Sequence, residues 1–382
     1  MKCTFGNIIA TILAVILVVS PVEVIENYDL SLYVNNFSHS LFSEVLNLDE
    51  ANPVISGLSA FYALSMIAHG ASGTTLEEFE EVLGSTSNTF ASQLNELSSN
   101  FDLHSSIWLN DDFSVNPYFN KKMKRYFDTT TFSRNFDSEA TIEEINAWVY
   151  SSTNGNIYGI LEQIAQDDAV LIINTLYLQA KWVSSIYPLH ESIRQFDGEY
   201  ANFLTTEPTY LAVNITDNFE AALLPYDCGR LGFFILRPTC GTNIRDFVKS
   251  NDLPMIFEGL GYKNDIIVHM PSIENTFEAS LINPLYQMGL QTAFTLQADF
   301  ANLVEYIPPP HISLPISQIH QSIRLSVNSG GTTAAAATAI GQIRAISTPV
   351  NPITLDFNSP YFFAIYDLYH SIPLFMGIVE HP

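Results

Sequence analysis

The chain has 382 residues, 47% of them hydrophobic and 12% aromatic, and a formal net charge of −25 from 40 acidic and 15 basic residues. So much apolar and aromatic material builds a substantial core and excludes a disordered chain. So acidic a surface repels phosphate backbones and heparin-like polyanions, which excludes nucleic acid as a partner and leaves the one basic cluster, Lys121, Lys122, Lys124 and Arg125, as a solvated helix face.

At the N-terminus, Lys2 precedes an apolar run from Ile8 to Val19 that ends at Ser20-Pro21. A basic start, a short apolar stretch and a small residue predict a secretory signal peptide over residues 1–20, with a signal anchor as the alternative. The run is short for a bilayer span. The mature chain, 21–382, is then expected to be extracellular, off the membrane and monomeric. The sequons Asn36-Phe37-Ser38 and Asn214-Ile215-Thr216 suit that compartment as glycosylation sites. Cys3 lies in the leader, and a predicted strand separates Cys228 from Cys240 by more than the ~7 Å a disulfide tolerates. Both are expected to be free and mostly structural.

Length alone admits two or three domains, but no repeat, linker or break in composition divides the chain. A helix is predicted over 28–46, with Leu30, Val34, Phe37, Leu41 and Val45 on one stripe. An apolar helix over 58–69 stops at Gly70. Another follows over 76–83, capped by Thr74 or Thr75, with Glu77, Glu78 and Glu80 near its positive end. A further helix is expected over 141–150. AVLIINTLYLQ (169–179) reads as a strand buried on both faces. Residues 223–226 and 232–237 form a hairpin about a turn at 227–231, and later strands are expected at 265–270, 361–367 and 374–379. Helices crowd the first half and strands the second, which predicts an α+β fold with a large mixed sheet.

Local catalytic motifs are missing: no G-x-S-x-G, H-E-x-x-H, Walker loop, G-x-G-x-x-G or C-x-x-C occurs. The nine histidines are scattered, and His190-Glu191 has no second histidine at helical spacing. No metal or cofactor is implied.

Several longer segments carry a resemblance. INAWVYSSTNGNI (145–157), AVLIINTLYLQAKW (169–182), LPYDCG (224–229), QTAFTLQADFANL (291–303), VNSGGTTAAAATAI (327–340) and FNSPYFFAIYDLYHSIPLFMGIVEHP (357–382) resemble, in order, segments of the serpin family of serine protease inhibitors. The resemblance runs from about residue 28 to the end. It implies one domain of about nine helices and three β-sheets, with an exposed reactive loop at about 329–356. A target protease attacks that loop as a substrate and forms an acyl-enzyme with the residue before the cut bond. The cut loop then enters the largest sheet as a new strand, and the tethered protease is deformed before it can hydrolyse the ester.

The resemblance gives the bland run GGTTAAAATAI (330–340) a physical role. A loop that becomes a central strand must pass alternate side chains into a tight interior, and from Thr332 the inward set is Thr332, Ala334, Ala336 and Thr338, all small and uncharged. A buried unpaired charge would cost several kcal/mol, and a proline would remove a ladder hydrogen bond. Gly330 and Gly331 suit a hinge. A plain Ala-rich helix is the alternative. Ser56, Ser59, Asn174 and His320 match the family's hydrogen-bonded cluster beneath the point where the sheet opens. Trp182 matches the tryptophan packed where the loop enters.

The chain departs from the family pattern in places. Ser329 and Gly330 stand where an acidic pair is usual, which removes an ion pair at the top of the sheet. Gly57 replaces a proline and Ala180 a glycine. Counting from His320 to Val327 gives one residue too many, which predicts a bulge or register shift. For the bait, Arg344 is the one basic residue between Gly331 and Phe357, so a trypsin-like protease cutting Arg344–Ala345 is favoured. An elastase-like protease cutting after Ala345 or Ile346 is the competitor. A non-inhibitory carrier, storage or signalling role is the alternative function.

Overall fold

The computed structural model describes residues 29–382 except 130, 158, 166, 184–185, 187–188, 240, 308–312 and 333–351. The predicted leader, Cys240 and the loop residues Ala334, Ala336, Thr338, Arg344, Ala345 and Ile346 therefore lie outside the described residues.

Among the described residues there are nine α-helices: α1 (Leu30–Val45), α2 (Gly57–Ala68), α3 (Gly73–Leu83), α4 (Asn88–Ser98), α5 (Pro117–Tyr126), α6 (Glu139–Ser152), α7 (Ile244–Ser250), α8 (Leu253–Glu258) and α9 (Ile282–Gln287). The strands are β1 (Val54–Ile55), β2 (Asp102–Asn110), β3 (Thr131–Arg134), β4 (Val170–Tyr177), β5 (Ala180–Lys181), β6 (His190–Phe196), β7 (Glu199–Thr205), β8 (Thr209–Ile215), β9 (Phe219–Pro225), β10 (Leu231–Pro238), β11 (Gly261–Pro271), β12 (Ile273–Ser280), β13 (Ile316–Asn328), β14 (Gly331–Thr332), β15 (Ile353–Asp356), β16 (Tyr361–Asp367) and β17 (Ile372–Val379). They form a single α+β domain, as the residue pattern predicts.

One sheet has seven strands, ordered β3-β2-β4-β13-β14-β5, with β12 also on β13. The other has ten, ordered β1-β17-β16-β10-β9-β8-β11-β7-β6, with β15 also on β11. The larger one divides at β11 into the two parts expected as separate sheets. β11 pairs β8 through its first residues and β7 and β15 through its last, so the ladder crosses from one part to the other.

The seven-stranded sheet is covered on both faces, which is why β4 reads as a continuous apolar run. One face meets the main core, built on α1, α2 and the ten-stranded sheet. The other meets a smaller cluster under α6, where Ile145 and Val149 pack on Trp108, Leu171 and Ile173. The stripe on α1 buries Val34, Phe37, Leu41 and Val45 as its spacing predicts. All twelve residues of α2 are buried, so it is the axle of the core.

Two local expectations change. The N-cap of α3 is Ser72, without a side-chain cap bond, and no acid sits in its first turn. Thr75 is instead buried and accepts the Asp299 N–H at 3.0 Å, while Glu78 Oε2 accepts the Gln291 and Thr292 N–H groups at 2.8 and 2.7 Å, capping a short 3-10 turn. Cys228 is free but exposed at the turn after β9, so it packs no core.

Candidate functional site

The site is the seam between β4 and β13. At its lower end these strands pair in parallel, from Ile316↔Val170 to Gln321↔Asn174, where their described ladder ends. Beneath that point lies the N-terminus of α2. Ser56 is its N-cap and accepts the Ser59 N–H at 3.3 Å. Ser59 Oγ donates to Asn174 Oδ1 at 2.9 Å. Gln321 closes the cluster: its Oε1 accepts the Ser56 N–H at 2.9 Å, and its Nε2 lies 2.9 Å from the Ser56 carbonyl, 3.1 Å from Ser59 Oγ and 3.2 Å from Asn174 Oδ1. All four residues are buried, and Asn174 Nδ2 has no partner among the described residues.

The structure brings together Ser56, Ser59 and Asn174, but not His320. Residues along β13 alternate, so Ile319, Gln321, Ile323, Leu325 and Val327 face the core and His320 faces the other side. There His320 Nε2 meets Gln318 Oε1 at 2.5 Å, and burial holds its pKa below the usual histidine value against the pull of Asp168. Between His320 and Val327 the expected bulge is absent, since β13 pairs β12 residue for residue from His320↔Ser280 to Val327↔Ile273; β13 does shift register against β4, but earlier, between Ile316 and Gln318. The surplus residue disappears once Gln321, one position later, is the cluster member. Period-two alternation was the signal that identifies it. The expected effect of Gln321→Ala is a fall of about 2 kcal/mol in unfolding free energy, because the buried Ser56 N–H loses its acceptor. His320→Ala should cost less, and urea titration of the two variants checks the order.

Gly57 fits the same corner. A Cβ there would lie 2.1 Å from Ser38 Oγ, so α1 and the start of α2 approach closely only with glycine. Ser38 Oγ in turn donates to the Val34 carbonyl at 2.6 Å.

At the upper end, the chain leaves β13, turns at Ser329-Gly330 and returns as β14. Gly331 and Thr332 pair with Asn328 and Val327 on one side and with Lys181 and Ala180 on the other, antiparallel to both. Trp182 sits over this entry. Its indole N–H donates to the Asn328 carbonyl at 2.9 Å, and its ring stacks on Tyr226 at 4.7 Å and 6°. Tyr226, fully buried, shares a hydrogen bond of 2.5 Å with Thr332 Oγ1, and burial keeps its phenol protonated far above the usual range. Thr332 thus faces inward. Gly331 has φ +140, and a Cβ there would lie 2.2 Å from the Ala180 carbonyl oxygen. Where the family's acidic pair is usual, Asn328 Oδ1 accepts the Gly330 N–H at 2.9 Å. Tyr226 and Asn328 are the entry residues that the sequence reading missed. Tyr226 lies inside the LPYDCG segment, but its contact with Thr332 spans 106 positions.

The two sequons differ. Asn36 is exposed on α1. Asn214 is not presented: its Nδ2 donates to the Ile256 carbonyl at 3.1 Å and packs against Gly259, so in the folded chain the atom a glycan would occupy is engaged. Lys121, Lys124 and Arg125 are exposed on α5. No helix among the described residues is long and apolar enough to cross a membrane.

Comparison with known proteins agrees with this geometry. A family model described as "Serpin (serine protease inhibitor)" matches residues 33–382. An uncharacterised serpin-like protein of Methanosarcina acetivorans is 28% identical over 94% of this chain and 87% of its own length. Alpha-1-antiproteinase 2 of Equus caballus is 25% identical over 91% and 86%. Among solved structures, the thermophilic serpin Tengpin in its native state superposes with a TM-score of 0.81 at 26% identity, covering 93% of this chain and 94% of that one. With a matching sequence model over nearly the whole length, a matching fold, and a polar cluster and loop hinge along one seam of the central sheet, this chain belongs to the serpin family.

Proposed function

We propose that the protein inhibits a serine protease as a suicide substrate. The observation that carries this reading is β14: Gly331 and Thr332, near the start of the loop, already occupy the slot between β13 and β5, antiparallel to both neighbours. This is the arrangement that the rest of a cut loop would extend. The small residues beyond it, Ala334, Ala336 and Thr338, put no charge or bulk in the way.

The bait in this reading is Arg344–Ala345. The protease serine attacks the Arg344 carbonyl, the amine of Ala345 leaves, and the ester to Arg344 persists while the loop inserts and drags the enzyme off its working geometry. A trypsin-like enzyme, with an acidic pocket for the guanidinium, is the partner favoured. The short apolar leader supports secretion, and the exposed Asn36 supports glycosylation there.

Mixing the protein with trypsin tests the proposal. A complex that survives SDS, with mass spectrometry placing the new terminus at Ala345, is the expected result. Stoichiometric cleavage at Ala345 without a complex would instead favour a non-inhibitory role. A complex formed only with an elastase, with the cut after Ala345 or Ile346, would move the bait.

A further inference from the structure

The hinge run poses a register problem that its own residues cannot solve. Residues 330–339 read GGTTAAAATA, so both faces of the incoming strand are alike: Thr332, Ala334, Ala336 and Thr338 on one, Thr333, Ala335, Ala337 and Ala339 on the other. Where the two faces match, burial does not choose between registers one residue apart. Even the doublets Gly330-Gly331 and Thr332-Thr333 repeat at the spacing of a slip.

Two contacts in the structure remove the ambiguity. Withdrawing the strand by one residue would place Thr332 at the Gly331 site. That site has φ +140 and puts a Cβ 2.2 Å from the Ala180 carbonyl oxygen, which no side-chain-bearing residue tolerates. Advancing it by one residue would place Gly331 at the Thr332 site. The Tyr226 hydroxyl, fully buried and 2.5 Å from Thr332 Oγ1, would then lose its partner. The stack of Tyr226 on Trp182, whose indole holds the Asn328 carbonyl, fixes the phenol so that it cannot follow the strand.

We infer that Tyr226 is a positioning residue that sets the register in which the reactive loop enters the sheet, with Gly331 as the stop in the opposite direction. The inference rests on the insertion reading above and adds to it the device that makes insertion single-valued. It also explains why a hydroxyl stands at the buried position 332, where an alanine would pass more easily.

Cross-linking tests this on the full chain with Cys3, Cys228 and Cys240 replaced by serine. Continuing the β13–β14 ladder, Val327↔Thr332, brings Leu325 opposite Ala334 in register and opposite Thr333 after an advance of one. Leu325→Cys is therefore paired with Ala334→Cys or with Thr333→Cys. The loop is cut with trypsin, and disulfide formation is followed by mass spectrometry. With Tyr226 present, the 325–334 disulfide should dominate. In Tyr226→Phe, which keeps the ring and its stack, the ratio of the 325–333 to the 325–334 product should rise at least about fivefold. Thr332→Val should do the same and Thr332→Ser should not, which separates loss of the hydroxyl from a packing defect. An unchanged ratio in both Tyr226→Phe and Thr332→Val would overturn the register assignment while leaving insertion intact. Neither disulfide forming in the Tyr226 protein after cutting would overturn insertion, and the register assignment with it.

Discussion

With Thr332→Arg, the target protease is expected to cut the loop at its usual rate and leave no SDS-stable complex. Thr332 is buried, and its side chain shares a hydrogen bond with the neutral Tyr226 hydroxyl. A guanidinium there must shed its water without compensation, a cost of several kcal/mol. If about 3 kcal/mol of that appears in the barrier to insertion, the step slows roughly a hundredfold. Deacylation then wins, and the inhibitor becomes a substrate. The intact protein should lose little stability, because two residues of β14 can leave the sheet and solvate the charge. Gel electrophoresis of a timed mixture with trypsin reads the outcome, and a complex yield equal to that of the unmodified protein would contradict insertion through this slot.

The second large effect lies at the turn between β16 and β17. Asp367 is fully buried, and its carboxylate accepts from Arg230 Nε and Nη2 at 2.8 and 3.0 Å, with His370 Nδ1 at 2.6 Å. Burial pushes its pKa up, but the bonds from Arg230 and His370 outweigh this and hold it below the usual 3.8. Arg230 also lies over the Phe101 ring at 4.9 Å, tying this turn to the start of β2. Arg230→Ala leaves the buried carboxylate with only His370 and the Tyr369 N–H among the described residues and should lower the unfolding free energy by about 3 kcal/mol at pH 7.

A depressed folded-state pKa contributes stability that is complete above the unfolded value and is lost as pH falls through the folded one. Without Arg230 the buried Asp367 takes up its proton at higher pH than in the unmodified protein, so the gap between the two should narrow as pH falls into the acid range. A separate acid loss precedes it. Burial lowers His39 and His69 from 6.5 to about 4, against the pull of Asp252 on His39 and with the help of Lys122 on His69. Stability should thus begin to fall below pH 6.5 in both proteins alike. Urea midpoints at pH 7, 5 and 3 measure both effects, and a gap that stays constant to pH 3 would remove Asp367 as the cause.

The elements were legible where burial pattern and chain chemistry agree. The apolar run 169–179 became β4, buried on both faces, and the hairpin about residues 227–231 became β9 and β10. Expectations failed where one side chain had two plausible partners. Thr75 and Glu78 looked like parts of a helix start but serve the distant segment 291–299. The resemblance points to histidine in the polar cluster, whereas alternation along β13 puts Gln321 inside and His320 outside.

By itself the sequence determined the family, the α+β architecture and the smallness of the hinge residues, because these follow from local pattern: the period of apolar residues, the order of motifs, and the absence of charge from 330 to 340. Only the tertiary structure decided which polar group closes the seam, that Asn214 is engaged by α8, and that Tyr226 meets Thr332. These contacts join residues 42 to 265 positions apart. Such contacts are set by how sheets and helices stack, a geometry that no single stretch of chain encodes.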